Sequence, residues 1–354
     1  MSGFDMSFYK GKKVLITGHT GFKGSWLCRV LSLSGADIAG YALEPSQPSL
    51  FAAMGAEGLT KSVIGDVRDR EKLVALVNDF RPEIIFHLAA QPIVREGYKN
   101  PAYTYETNVM GTVNICEAVR LCGSVRSFVN VTTDKVYKIS EGKMVCVETD
   151  PLDGFDPYSN SKSCSELVTS SYNNSFFRNM GIAVSTCRAG NAIGGGDFSP
   201  DRLIPDCVRA VSNGDTIIIR NPDSVRPFQH VLEPVSAYLM LAAAQYENVG
   251  LSGSYNIAPD EKDCITAGQL ADMFCKCWGG TAKWRHVPEK DSPHEEDRLL
   301  LDCTKFRTAL RWHPRWDIGQ AVQKTAEWYK CYFEGGDVVS LMDKQIREYL
   351  RYGL

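Results

Sequence analysis

The run Lys12-Lys13-Val14-Leu15-Ile16-Thr17, followed by Gly18-His19-Thr20-Gly21-Phe22-Lys23-Gly24, decides the fold. Its first half is short and apolar, as a buried parallel strand is, and the amphipathic run Ser25 to Ser34 after the glycines has helical spacing. A second strand, Asp37 to Leu43, starts soon after Gly35, so one strand-helix-strand unit closes within about 30 residues. Gly18, Gly21 and Gly24 spell G-x-x-G-x-x-G between that strand and that helix. Glycines there let the backbone turn tightly against a diphosphate, and the helix N-terminus offers unpaired N–H groups with partial positive charge. The turn is therefore expected to bind a nucleotide.

Outward from this unit the alternation continues. Val63 to Asp66 reads as a strand end, Arg70 to Phe80 as a helix, Pro82 to Ala90 as a strand and Pro101 to Leu121 as a long helix. Ser127 to Val131 is another strand, Tyr158 to Asn173 a helix and Gly181 to Thr186 a β-rich segment. Strands alternating with helices over the first 190 residues predict an α/β, Rossmann-type doubly wound parallel sheet. Beyond Arg188-Ala189-Gly190-Asn191 the pattern changes to glycine and proline clusters and mainly helical runs: Glu233 to Gln245, Thr266 to Cys277, Ile318 to Phe333 and Val339 to Arg351. We expect residues 1–190 to form the nucleotide-binding domain and 191–354 a smaller, mainly helical substrate-binding lobe, with part of the latter returning to the sheet near Ser254 to Ile257.

A formal net charge of -3 and the lack of long single-sign runs give no electrostatic case for nucleic acid or an anionic membrane. Twelve scattered cysteines, with no signal peptide and no apolar run of transmembrane length, fit the reducing cytoplasm better than a disulfide framework. Cys275 and Cys277 are one residue apart, no second pair completes a tetrahedral set, and the six histidines are dispersed, so no metal is expected.

Open α/β sheets bind ligands beyond the carboxyl ends of their strands. Thr132-Thr133-Asp134-Lys135, at the end of the strand Ser127 to Val131, is thus expected at a crevice rim. Tyr158-Ser159-Asn160-Ser161-Lys162 puts a phenol and an ammonium four residues apart on one helix face, within reach of a single ligand. The second strand ends at Leu43-Glu44 with no Arg or Lys beside it to hold a ribose 2′-phosphate, which favours NAD over NADP. Glu44 is either a ribose ligand or a solvated loop residue. Asp66-Val67 either meets the adenine end or is ordinary turn chemistry.

Together, Gly18-x-x-Gly21-x-x-Gly24, Thr133 and Tyr158-x-x-x-Lys162 resemble the extended short-chain dehydrogenase/reductase superfamily over nearly the whole chain. Thr17 to Trp26, Thr132 to Tyr137 and Arg226-Pro227-Phe228-Gln229-His230-Val231-Leu232-Glu233-Pro234 further resemble its bacterial members that dehydrate CDP-D-glucose. The resemblance implies a tightly held NAD⁺ lying along Gly18, Gly21, Phe22, Gly24, Asp66, Val67, Leu88 and Ala89. Tyr158 would be the base on the sugar 4-hydroxyl, Lys162 would lower its pKa and hold the nicotinamide ribose, and Thr133 would bond the 4-oxygen. Asp134 would be the acid at the 6-hydroxyl. Lys135, where related dehydratases carry glutamate, is either the base at C5 or the cation that positions Asp134. Asn108 would brace the active-site backbone, and His87 is given no chemistry. Asn191 and Arg226 would bind the sugar nucleotide, with Arg188 and Arg202 weaker candidates, since arginine suits diphosphate oxygens, and Arg298 either reaches the nucleotide or pairs with Asp302 or Glu296. A homodimer through Pro101 to Leu121 and Tyr158 to Asn173 is implied by the same likeness, as is a role in the deoxysugars of lipopolysaccharide O-antigens. A nucleotide-sugar epimerase would share the glycine turn and the Tyr/Lys pair but has no need of Asp134-Lys135, and a non-catalytic dinucleotide sensor has no need of the whole set.

Overall fold

The structure is a computed structural model that describes residues 5–139, 145–289 and 299–350. Seven strands form its sheet: β1 (Lys13–Thr17), β2 (Asp37–Ala42), β3 (Lys61–Ile64), β4 (Ile84–His87), β5 (Ser127–Val131), β6 (Ala183–Ala189) and β7 (Gly253–Ile257). They lie in the order β7-β6-β5-β4-β1-β2-β3, every neighbouring pair parallel. Because Thr17 is in register with both Tyr41 and His87, and His87 with Asn130, the carboxyl ends of the central strands share one rim. The order reverses at β1, between β2 and β4, where a doubly wound sheet opens its crevice.

Side chains alternate across each strand and so feed two cores. Val14 and Ile16 of β1, with Ile84 and Phe86 of β4, bury on one face; Leu15 and Ile85 bury on the other. The first face is covered by α1 (Phe22–Leu33), and Leu232–Glu247 packs there too; the second is covered by α2 (Arg70–Phe80) and α3 (Gly111–Leu121). The first core runs on without interruption into the late helices: Trp312, Trp316, Trp328 and Tyr329, read from the sequence as core, are all buried in it. Outside the main sheet the later chain is mainly helical, with short two-stranded ladders such as Ile217–Ile219 beside Trp284–His286.

Several boundaries differ from the sequence reading. The helix after the glycine turn starts at Phe22, three residues early, because Gly21 serves as its N-cap. The run from Pro101 to Leu121 is helical throughout but widens to a π-turn over Glu106–Met110. The β-rich segment is displaced furthest. Gly181, with φ +68°, closes the preceding helix, and β6 then runs from Ala183 to Ala189, which brings Arg188 inside the sheet rather than beyond its end.

Candidate active site

The glycine turn is set by close approaches. Gly18 has φ +78°, and a Cβ there would meet the Ala89 backbone at 2.7 Å; a Cβ on Gly24 would stand 2.1 Å from the Gly18 carbonyl. Thus Gly18, Gly24, Leu88 and Ala89 are brought together by contacts that tolerate no side chain. Ala89 N also donates to the Thr17 hydroxyl at 3.3 Å. Gly21 caps α1 without a side-chain acceptor, which leaves the first-turn N–H groups of Phe22, Lys23 and Gly24 facing the rim. A glycine-walled cradle with open amides fits a dinucleotide diphosphate. At the far end, Asp66 is held by Arg68 through Nη2 at 2.7 Å and Nε at 3.0 Å, and this pairing keeps its carboxyl below the usual range. Val67 is buried, and its carbonyl accepts from Asn114 at 2.8 Å. Glu44 is exposed.

The chemistry-bearing residues meet where β5 faces α4 (Pro157–Tyr172). Pro157 begins this helix at a position that needs no N–H, and the Asp156 side chain caps it by accepting from Tyr158 N at 2.9 Å and Ser159 N at 3.0 Å. Tyr158 and Lys162 are therefore fixed on the first turns, both buried. The Lys162 ammonium donates to the Val131 carbonyl at 3.1 Å. Burial, and then the neighbouring Lys23, bring that ammonium down to about 8. Burial pushes the Tyr158 phenol up to about 12; a hydrogen bond with Thr133 pulls the other way, Asp134 adds to the rise, and Arg202 opposes it. Arg202 is a cation that favours the phenolate here, while the Lys162 ammonium is turned to the Val131 carbonyl.

Thr133 donates to Asp134 Oδ1 at 3.0 Å, while Asp134, 2% exposed, has its second carboxylate oxygen buried without a hydrogen-bond partner among the described residues. Lys135 makes no ion pair with Asp134 among the described residues. It lines a recess of about 400 Å³ with Val94, Asp156, Ser159 and Asn160, beside the α4 cap. Asn108 lies in the π-turn, a device that re-aims helix side chains at functional sites. Its amide accepts from Gln91 N at 2.8 Å and donates to Gln91 O at 3.1 Å and Ser161 Oγ at 2.9 Å, tying the chain after β4 to α4. His87 is buried, hydrogen-bonded to Thr17 at 2.7 Å, and held down to about 3 by burial and Lys162.

The substrate-side candidates part company. Arg202 caps the helix Leu203–Ser212 and binds Asp197 at 2.9 Å, close enough to act on Tyr158. Arg226 is buried, donating to the Val225 carbonyl at 2.9 Å. Asn191 is half-buried just past β6, its carbonyl accepting from Gln229 N at 3.0 Å. Arg298 lies outside the described residues. Arg188 is placed in the core instead: it is 3% exposed, and four of its five N–H donors are engaged, with Glu166 through Nε at 3.0 Å and Nη2 at 2.8 Å, with Tyr137 at 2.9 Å and with the Glu148 carbonyl at 3.1 Å. Two residues here escaped the sequence reading. Glu166 carries a readable signal, one turn beyond Lys162 on the same face. Lys23 carries none, because a lone lysine within a glycine motif passes for a spacer.

Comparison with known proteins agrees with this geometry. The family described as GDP-mannose 4,6 dehydratase matches residues 15–325. A CDP-glucose 4,6-dehydratase of Salmonella typhimurium is 44% identical over 353 residues, covering 98% of each chain. Two solved structures share the fold at 22% identity. A dTDP-glucose 4,6-dehydratase of Bacillus anthracis in complex with NAD has a TM-score of 0.77, covering 93% of this chain and 100% of its own. A UDP-glucose 4-epimerase of Stenotrophomonas with bound NAD scores 0.80, covering 92% and 100%. A match of this extent, with a relative aligned along almost its full length, establishes that the chain belongs to the GDP-mannose 4,6 dehydratase family of extended short-chain dehydrogenases/reductases.

Proposed function

We propose that this chain is a lyase that removes water from CDP-D-glucose to give CDP-4-keto-6-deoxy-D-glucose with a resident NAD. One observation carries the reading. Thr133, Asp134 and Tyr158 converge at the crevice of a chain 44% identical, nearly end to end, to a CDP-glucose 4,6-dehydratase. NAD would lie with its diphosphate on the first-turn amides of α1 and its nicotinamide ribose near Lys162, and when bound it supplies one service, accepting hydride from C4 and returning it at C6.

The chain's own residues handle the protons. Tyr158, whose phenolate Thr133 and Arg202 favour against the effect of burial, takes the 4-hydroxyl proton, and the Thr133 hydroxyl holds that oxygen in line. The resulting ketone acidifies the C5 proton, which we assign to the neutral amine of Lys135, converted to the ammonium as it takes that proton. No ion pair ties this side chain to Asp134 among the described residues, so the positioning role has no support there. Asp134, in its acid form, gives a proton to the departing 6-oxygen, and its unpartnered oxygen is the atom free to do so. Arg202, Arg226 and Asn191 are assigned to the sugar nucleotide, residues 1–190 with β7 to the cofactor half, and the remainder to the substrate half. The reading further includes a cytoplasmic enzyme acting as a homodimer through α4 and the Pro101–Leu121 run, where Met110, Leu121 and Leu167 are exposed; a monomer's mass in light scattering would exclude that assembly.

The test is to supply CDP-, dTDP-, GDP- and UDP-hexoses with NAD⁺ in heavy water, reading the alkali-induced absorbance of a 4-keto-6-deoxy product and its deuterium at C5. CDP-glucose should give product labelled at C5. Product from another nucleotide alone would reassign the substrate, and a Lys135→Ala chain that exchanges C5 at the parental rate would remove Lys135 from the base role.

A further inference from the structure

After β4 the chain forms the short helix Val94–Lys99, which lies against the start of α4: a Cβ on Gly97 would stand 3.2 Å from Tyr158 N and 3.5 Å from Tyr158 Cβ. Val94, its first residue, lines the recess that holds Lys135. Arg95, the next, turns to another part of the molecule. Its guanidinium meets the Glu289 carboxylate with both terminal nitrogens, Nη1 to Oε1 at 2.9 Å and Nη2 to Oε2, and its Nε stands 3.6 Å from Asp201 Oδ1. Arg220 reaches the same two carboxylates, Asp201 at 3.3 Å and Glu289 at 3.6 Å, and also Asp206 at 3.7 Å. Four stretches of chain far apart in sequence are thus joined by shared charge. Arg95, Asp201, Glu289 and Arg220 are between 27% and 36% exposed, and ion pairs this open to water add little to stability.

What the pairs do fix is position. Asp201 immediately precedes Arg202 and holds φ +57°, a left-handed conformation that residues other than glycine adopt at a cost. Arg202 then caps Leu203–Ser212, binds Asp197 and faces the Tyr158 phenol. Two routes therefore lead from Arg95 to Tyr158, one through Gly97 against its backbone and one through Asp201 to a cation beside its phenol. We propose that Arg95 is a positioning residue for the dehydration, its ion pairs with Asp201 and Glu289 holding Arg202 in place against the Tyr158 phenol. This assignment rests on the reading of Tyr158 as the base at the 4-hydroxyl and adds what holds that base's surroundings. The other groups around the phenol lie outside these ion pairs. Thr133, which favours the phenolate, and Asp134, which opposes it, follow β5; Asp156, which also opposes it, caps α4; Tyr238 comes from Leu232–Glu247; and Lys162 is turned to the Val131 carbonyl.

The experiment is the pH profile of kcat with CDP-glucose and NAD⁺ for the parent, Arg95→Met and Arg95→Lys, with the KM for CDP-glucose and the ligand-free melting temperature of each. Phenolate is the working form of Tyr158, so turnover climbs as pH rises through its ionisation. With Arg202 held less firmly, that climb should move up in pH by about half a unit to one unit in Arg95→Met, part of what a neighbouring cation contributes. On the climb, kcat should then fall about 3- to 10-fold, with KM and melting temperature near parental values. Arg95→Lys keeps the charge without the paired contact to Glu289 and should fall between the two. A climb at the parental pH in Arg95→Met would overturn the proposal. So would an equal fall in kcat at every pH, a rise in KM alone, which places Arg95 on the substrate, or a lower melting temperature, which marks a folding role. These outcomes leave the base reading standing. A Tyr158→Phe chain with the parental kcat and pH profile would overturn that reading together with this proposal.

Discussion

Lys162 and Glu166 stand one turn apart on the same face of α4, yet their surroundings differ in kind. Behind the rim, each carboxylate oxygen of Glu166 is engaged: Oε1 accepts from Thr132 and from Arg188 Nε, and Oε2 from Thr186 and Arg188 Nη2. Arg188 goes on to Tyr137 and the Glu148 carbonyl, and Tyr137 to Asn256 on β7. At the rim the accounting stays open among the described residues, with the Lys23 ammonium, a Lys162 ammonium held by one carbonyl, one carboxylate oxygen without a partner and a helix whose first amides face outward. Closed polar networks hold strands and helices in place, whereas open ones are completed by a ligand.

That contrast predicts separable failures. Tyr158→Phe should cost about 10²- to 10⁴-fold in turnover, the range of a lost general base, while NAD⁺ binding and melting temperature stay near parental values. A large drop in melting temperature would move Tyr158 from the open region to the closed one. Glu166→Ala should do the reverse. It strands the Arg188 guanidinium at 3% exposure and should destabilise the fold by about 3–5 kcal/mol in denaturant titration. A stable Glu166→Ala chain would mean that the network behind the rim is dispensable.

The smallest expected effect is in pH. Lys23 and Lys162 are held to about 8 in the ligand-free chain, against 10.5 for a free lysine. An anionic dinucleotide favours their charged forms, which are complete below pH 8 and lost above it. Affinity for NAD⁺ should therefore be level below pH 8 and fall by up to about tenfold per unit for each lysine that must regain its proton. A flat profile from pH 7 to 9 would mean that neither ammonium senses the ligand, whatever Asp134, Asp197 and Arg202 contribute around them.

Much of this was legible because it is local. The strand, the glycine turn and the Tyr158/Lys162 spacing each lie within a few residues, and backbone geometry leaves them little choice. What could not be read depends on distant partners or on where an element ends. Arg188 looked like a rim residue only while β6 was taken to stop at Thr186; three more residues of strand put it in the core opposite Glu166. The Lys162 bond to a carbonyl 31 residues away in sequence was not readable either, since it needs β5 and the helix to be packed side by side. Lys23 became conspicuous only when charges from three other segments were gathered around it.

β7 gives the fold a sense of time. The turn for the diphosphate is made within the first 24 residues, but the sheet that carries it takes its outermost strand from residues 253–257, and Asn256 of that strand completes the hydrogen bonds of Tyr137. As the chain leaves the ribosome, more than 200 residues must follow the glycines before Asn256 can meet Tyr137. An enzyme assembled in this order keeps its first-made site unfinished until substrate-side segments are also on hand, so the two halves of the crevice mature together.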